Sequence, residues 1–279
     1  MVKSGEVRGL FTSTEAIALC RWPVAKEYVE YGDEIRPDPD AGEPRWTAPL
    51  SDPNLFLSLA KLGGRGDDLP EAAILRWVRR RGLFDRLDEG SRHPYTETGE
   101  LNQRPMTFGA FRGEARRAYR ILTLLEDVRS RRFDELRTRI GREPGGGEWA
   151  RLSLDGEPVA GTEGPTPGPS LAVSELPDKQ LLSVAEIALT SAVSERLRGV
   201  EPTFFPDFSQ PRPPYADYSP RLAFCAPDLR TAVWYQLAAL IDRKRPLRNC
   251  EVCGTPFPLT KKNRLTCSDA CRKAKSRRN

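Results

Sequence analysis

The chain has 279 residues, of which 38% are hydrophobic and 30% charged, and its formal net charge is +5. Its length allows one or two domains and its apolar content a packed core, which excludes wholesale disorder, and no apolar run reaches the roughly 20 residues of a membrane span. The single histidine excludes multi-histidine metal centres, and without a secretory signal after Met1 we expect a soluble, cytoplasmic protein.

Helical periodicity dominates residues 1–242, which we predict to form a mainly α body. The pattern Asp68-Leu-Pro-Glu71 is typical of a capping box with an early proline, so the first predicted helix begins there and runs toward Gly82. Four further helices are predicted, over residues 111–130, 134–140, 181–197 and 228–242.

Three segments of this body are predicted to be non-helical. Trp149–Leu154 is a candidate strand that ends at Asp155-Gly156. The run 161–170 is rich in glycine and proline and predicts a linker or long loop, within a loop region of about 141–170. Residues 201–220 contain six prolines among aromatic residues, so we expect them to be extended.

Isolated candidates for chemistry in the body have weak signals. No motif supplies a nucleophile or a metal partner for His93, and Cys20 and Cys225 are interpreted as small buried residues, with a redox sensor as the alternative for Cys225. The arginine-rich stretch 76–81 is interpreted as a solvated helix face, with phosphate contact as the alternative. Because a nucleotide-binding glycine loop is also absent from the sequence, we expect no enzyme.

Cysteines are concentrated at the C-terminal end, where the last 30 residues hold four of the six. Cys250 and Cys253 form one close pair and Cys267 and Cys271 another, with 13 residues between the pairs. Two such pairs supply the four thiolates of a tetrahedral zinc site, whereas a disulfide is disfavoured in a reducing compartment. Because all four ligands are protein thiolates, we predict one structural Zn²⁺ that also stabilises the fold of this short module.

The residues around these cysteines predict the local fold of the module 243–279. Gly254 allows the tight turn after the first pair, and residues 256–260 with residues 265–266 form a candidate hairpin. Ser268 is a candidate N-cap for a helix that starts at Asp269, so that the second pair lies where the helix dipole favours thiolate. A turn, a hairpin and then a helix with the second pair form a treble-clef finger.

Positive charge is also concentrated in residues 243–279, which hold 12 basic and 2 acidic residues, while the remaining 242 residues have a formal charge of −5. Nucleic-acid contact by this tail is the preferred interpretation, and the alternative is that the charges offset the anionic zinc–thiolate centre. Phe257 is the only aromatic residue of the tail, which favours contact with the backbone or a groove over base stacking. The candidate nucleic-acid-binding residues are Lys261, Lys262, Arg264, Arg272, Lys273, Lys275, Arg277 and Arg278.

The pattern Cys250-x2-Cys253-Gly-x2-Phe257 followed by Cys267-Ser-x2-Cys271-Arg-Lys-Ala resembles the CGNR-type zinc fingers of bacteria. In that family the finger follows a mainly helical, ABATE-like domain, and the helix that contains Trp234-Tyr-Gln-Leu237 is placed similarly here. The match covers about 30 residues of the finger, and Cys271-Arg-Lys-Ala274 replaces the Cys-Gly-Asn-Arg motif of the family. The resemblance implies a DNA-binding transcriptional regulator.

Two functions from different classes follow from these features. The leading hypothesis is a zinc-dependent regulator whose finger binds nucleic acid, DNA in preference to RNA, and whose helical body senses a ligand or partner or forms a homodimer. The alternative is a protein-interaction module in which the finger is purely structural and segment 201–220 offers a docking surface. The least favoured hypothesis is an enzyme in the helical body that uses His93 or a carboxylate. No membrane partner is expected.

Overall fold

The structure is a computed structural model, and it shows a mainly α chain with several small antiparallel sheets. None of the helices in the described part of the chain combines the length and the low polarity that a membrane span requires. The residues that the structure describes are 22–52, 54–85, 101, 103–144, 149–160, 162, 164–165, 173–198, 200–206, 220–226, 228–242, 247–254, 256–259 and 264–277.

Seven α-helices lie within the described residues, and five of them closely match the segments predicted after residue 100. The helices are α1 (Leu55–Gly63), α2 (Glu71–Arg81), α3 (Phe108–Ser130), α4 (Phe133–Arg139), α5 (Asp178–Arg196), α6 (Leu229–Asp242) and α7 (Asp269–Ser276). The sequence did not predict α1. The predicted cap at Asp68 is also wrong, because Asp68 ends a 3-10 turn and α2 starts only at Glu71, after the proline.

The described strands are short, and most of their pairings are antiparallel. In chain order they are β1 (Trp22–Val24), β2 (Tyr28–Tyr31), β3 (Glu34–Pro37), β4 (Arg45–Thr47), β5 (Met106–Thr107), β6 (Ile140–Pro144), β7 (Trp149–Leu154), β8 (Glu157–Pro158), β9 (Gly164–Pro165), β10 (Glu201–Pro206), β11 (Pro220–Cys225), β12 (Leu247–Asn249) and β13 (Pro256–Pro258). The sheets are β1–β4, β2–β3–β5, β10–β11, β12–β13 and a four-stranded sheet in which β7 pairs with β6, β8 and β9.

Two of the segments predicted to be non-helical contain more regular structure than expected. The predicted strand at β7 is confirmed, but the loop expected around it is wrong, because β6, β8 and β9 all pair with β7 within residues 140–165. Segment 201–220 is extended at its start, where β10 pairs with β11 from Glu201 opposite Cys225 to Pro206 opposite Pro220. Residues 207–219 lie outside the described part of the chain.

The chain forms two compact units, each assembled from three separate segments. The first comprises Met1–Pro53, Leu75–Met106 and Gly199–Val233, and the second comprises Asn54–Ile74, Thr107–Arg198 and Trp234–Asn279. The boundary predicted between residues 242 and 243 falls inside the second unit, so the cysteine module belongs to the same unit as α1 and α3.

Close contact between α1 and α3 organises the core of the second unit. Leu59 and Ala60 of α1 are fully buried. A Cβ atom at Gly63 would lie 1.8 Å from the carbonyl oxygen of Ala115 on α3, so only glycine permits this approach of the two backbones. This contact holds α1 in place, and side chains from the preceding turns of the same helix reach the cysteine module.

A buried polar group supports the same unit. The indole Nε1 of Trp234 donates a hydrogen bond of 2.6 Å to the carboxylate of Glu114, and Arg196 lies 3.5 Å from that carboxylate. The ring of Phe56 on α1 contacts Trp234 edge-on at 5.8 Å. The buried carboxylate therefore has both a hydrogen-bond donor and a counter-charge, as a buried acid requires.

Candidate metal centre

The four C-terminal cysteines are brought together by a hairpin and a helix. The strand β12 runs directly into Cys250, a turn carries Cys253, and β13 returns along β12 with Arg248 opposite Phe257. Gly254 has a φ of +69°, which a residue with a side chain rarely adopts. Its backbone N–H donates a hydrogen bond of 2.8 Å to the carbonyl oxygen of Cys250. The predicted role of this glycine in a tight turn is confirmed.

The partner strand of the hairpin differs from the predicted one. The strand β13 pairs with β12, which precedes the first cysteine pair, and not with residues 265–266. Leu265 instead accepts a hydrogen bond of 3.1 Å from the backbone N–H of Glu251 and so closes the turn of the first pair. Six residues separate β13 from either candidate partner, so loop length does not decide between them. The hydrogen bond from Glu251 holds Leu265 at the turn of the first pair instead of beside β13.

The helix α7 positions the second cysteine pair as predicted. The hydroxyl of Ser268 accepts a hydrogen bond of 3.2 Å from the backbone N–H of Cys271, which confirms Ser268 as the N-cap. Cys267 precedes this cap and Cys271 lies in the first turn. The positive end of the helix dipole therefore faces the thiols and stabilises their deprotonated form.

The distances between sulfurs fit a metal ion bound by four thiolates. The Sγ atom of Cys253 lies 3.5 Å from that of Cys267 and 3.7 Å from that of Cys271, and the last two are 3.6 Å apart. All four Sγ atoms, including that of Cys250, lie within 4.8 Å of one another. Disulfide sulfurs are about 2.0 Å apart, whereas Zn–S bonds of about 2.3 Å in a tetrahedron separate sulfurs by about 3.8 Å. The four cysteines could therefore hold one metal ion.

Backbone groups and burial set the acidity of these thiols. Burial raises the pKa of Cys250, but the backbone N–H groups of Cys267, Val252 and Cys253 outweigh it and lower that pKa overall. Burial and hydrogen bonds with the neighbouring cysteines raise the pKa of Cys267 to about 12. A divalent cation would relieve this crowding, because it stabilises all four thiolates at once.

A small apolar core lies beneath the cysteines. Cys250, Phe257 and Cys271 are buried together, and further apolar side chains pack against them: Leu57, Val252, Leu259 and Cys267. The guanidinium of Arg264 stacks over Phe257 at 5.5 Å and donates hydrogen bonds of 3.0 and 2.9 Å to the carbonyl oxygens of Thr266 and Cys267. Arg264, predicted as a nucleic-acid contact, thus braces the loop before α7.

The other residues predicted to contact nucleic acid differ in exposure and in their ion pairs. Arg272 is 71% exposed beside Asp269, and Lys273 and Arg277 are exposed one turn apart on the side of α7 away from Cys271. Lys275 forms an ion pair with Glu251 across the module. The remaining predicted contacts lie outside the described residues: Lys261, Lys262 and Arg278.

The structure describes only some of the weaker candidates of the body. His93 and Cys20 lie outside the described residues, as does the side chain of Cys225 at the end of β11. In the stretch 76–81, Trp77 and Val78 are buried, and Arg81 pairs with Asp52 at 2.8 Å. The remaining arginines of this stretch are exposed: Arg76, Arg79 and Arg80.

Lys61 is a residue of the centre that sequence reasoning missed. Its Nζ atom lies 3.8 Å from the Sγ atom of Cys271, although the two residues are 210 positions apart. Burial lowers the pKa of Lys61, but the thiolates of Cys253, Cys267 and Cys271 outweigh it and raise that pKa overall. Nothing in the sequence near Lys61 signals this role, which depends on the packing of α1.

No family model, curated protein or solved structure matches the chain. What can be said of its chemistry therefore comes from the geometry of the described residues, above all from the four cysteines.

Proposed function

We propose that the protein is a zinc-dependent nucleic-acid-binding protein whose residues 243–279 form a treble-clef finger around one structural Zn²⁺. The observation that carries this proposal is the close approach of the four sulfurs of Cys250, Cys253, Cys267 and Cys271, all within 4.8 Å of one another. The order of a hairpin with the first pair and a helix with the second supports the treble-clef arrangement.

Zinc is the metal that this set of ligands favours. Four thiolates in a tetrahedron are typical of structural zinc sites, and they leave no open position at which the metal could activate water. A role in folding therefore fits the site better than a role in catalysis. Zinc would supply folding free energy to a segment whose apolar core is very small.

The exposed basic face of α7 supports nucleic acid as the partner. Cys271 and Lys275 face the module, so Lys273 and Arg277 extend from the opposite side, with Arg272 beside them. Point charges on one helix face suit contacts with successive phosphates. The resemblance to CGNR-type finger proteins supports a regulator of transcription, in which the helical body senses a ligand or partner.

The experiment is a titration of duplex DNA with zinc-loaded protein at several salt concentrations. We expect affinity to fall steeply with salt, and the variant Lys273→Gln/Arg277→Gln to bind more weakly and with a salt slope lower by about 2. The control is Lys179→Gln/Arg198→Gln, which removes the same charge from exposed positions of α5 and its C-terminal turn.

The two pairs of substitutions separate the hypotheses. If both variants weaken binding equally, the effect is one of net charge and not of the α7 face. If zinc-loaded wild-type protein does not bind DNA or RNA at low salt, the finger is structural and the protein-interaction alternative gains support.

A further inference from the structure

Two side chains of α1 reach the cysteine module from the helical part of the second unit. Leu57 packs against the buried cluster of Cys250, Phe257 and Cys271. Lys61 lies one turn later on the same helix face, with its Nζ atom 3.8 Å from the Sγ atom of Cys271. One face of α1 thus supplies both an apolar and a charged contact to the metal centre.

The charge of the centre explains why a lysine is suitable here. Four thiolates around a divalent cation have a formal charge of −2, and this charge lies partly out of water because Cys250 and Cys271 are buried. Lys61 is itself half-buried, so its interaction with the thiolates is screened less than that of an exposed pair. An N–H···S hydrogen bond from its ammonium would hold a positive charge directly beside the thiolate of Cys271.

We propose that Lys61 is a positioning residue of the metal centre, which donates a hydrogen bond to the Cys271 thiolate and offsets part of the negative charge of the centre. Together with Leu57 it makes α1 a part of the site. The finger is therefore an integral part of the second unit and not a separate appendage. This inference rests on the proposed metal site.

The packing of α1 connects the site with the core of its unit. Gly63 lies against Ala115 of α3, and Phe56 contacts Trp234. The backbone N–H of Phe56 also donates a hydrogen bond of 3.0 Å to the side chain of Gln236 on α6. Loss of the metal should therefore loosen α1, which amide hydrogen exchange detects as faster exchange over residues 55–63 after chelation.

The test compares Lys61→Met, which keeps the aliphatic chain but removes the charge, with Lys61→Arg, which keeps a charged donor. Zinc affinity is measured by competition with a chelator, and Co²⁺ is used as a coloured probe of the thiolates. We expect Lys61→Met to bind zinc about 10- to 100-fold more weakly and to shift the sulfur-to-cobalt charge-transfer bands to lower energy. Lys61→Arg and the surface control Lys179→Met should remain close to wild type.

Each outcome has one interpretation. If wild-type protein takes up one zinc and Lys61→Met matches it in affinity and cobalt spectrum, the role of Lys61 is refuted while the metal site stands. If wild-type protein takes up no zinc, the proposed metal site itself fails. Circular dichroism of each variant after chelation checks the helical fold, and if Lys61→Met does not fold, Lys61→Gln is used with the same criteria.

Discussion

At the scale of single residues, the thiol of Cys267 holds its proton tightly. Burial and the neighbouring cysteines raise its pKa to about 12. A metal must displace this proton before it can bind, because only the thiolate is a ligand. In the proposed site, protons and zinc would therefore compete for the same sulfurs.

This competition predicts that zinc affinity falls as pH falls. A raised pKa means that protonation at neutral pH is more favourable, so acid shifts the equilibrium further toward the metal-free thiols. We expect the apparent affinity to drop by more than about tenfold per pH unit below pH 7. Chelator competition at pH 7.5, 6.5 and 6.0, corrected for the titration of the chelator, measures it, and an affinity that does not change with pH would contradict the thiolate site.

Arg264 and Arg272 are predicted to contribute differently to stability, although both are basic residues of the finger. Arg264 stacks on Phe257 and donates to two carbonyl groups, so Arg264→Met should lower the free energy of unfolding of the zinc-loaded finger by about 2 kcal/mol. Arg272→Met removes an exposed ion pair and should cost less than about 0.5 kcal/mol. Thermal unfolding of the two variants makes the comparison, and equal losses would refute a bracing role for Arg264.

At the scale of elements, the contact of α1 with α3 depends on one glycine. Substitution at Gly63 would place a methyl group 1.8 Å from a carbonyl oxygen, and backbone on both helices would have to move. Rigid backbone atoms cannot yield as a flexible side chain can. The element that contacts the metal centre is therefore held by a site without room for a larger residue.

We predict opposite effects for alanine at two helical glycines. Gly63→Ala should destabilise the protein by about 2 kcal/mol or more through overpacking. Gly113→Ala, on α3, meets nothing within 4 Å and should stabilise it by about 0.5 to 1 kcal/mol through helix propensity. Urea denaturation of both variants checks the signs, and a neutral Gly63→Ala would show that the helices separate easily.

At the scale of the whole molecule, the metal centre shares its compact unit with most of the described helices. Its loss should therefore reach beyond the finger. In the proposed site, zinc would bind only the folded module and would therefore raise the stability of this unit in proportion to the logarithm of its free concentration.

Chelation is predicted to unfold the finger and also to lower the melting temperature of the full chain. The shift should grow with the strength of the chelator and reverse when zinc is restored. Differential scanning calorimetry measures it, and the control is Cys271→Ser, whose melting temperature should not respond to chelator. An unchanged melting temperature in the wild type would mean that the finger folds independently of α1.

Sequence patterns are sufficient to predict those features of the structure that depend on short-range preferences. The spacing of Cys250, Cys253, Cys267 and Cys271, the cap at Ser268 and the turn at Gly254 each depend on a few neighbouring residues. The long amphipathic helices were predictable for the same reason, because an apolar stripe is visible within the segment that forms it. The short α1 begins after several prolines and ends in two glycines, which hid its pattern.

The sequence by itself determined the set of candidate metal ligands and the described α-helices other than α1, since local spacing decides both. Only the tertiary structure decided that Lys61 meets Cys271, that β13 pairs with β12, and that the cysteine module shares a unit with α1. Such contacts join segments far apart in the chain, and their free energy comes from complementary surfaces that exist only once the helices pack together.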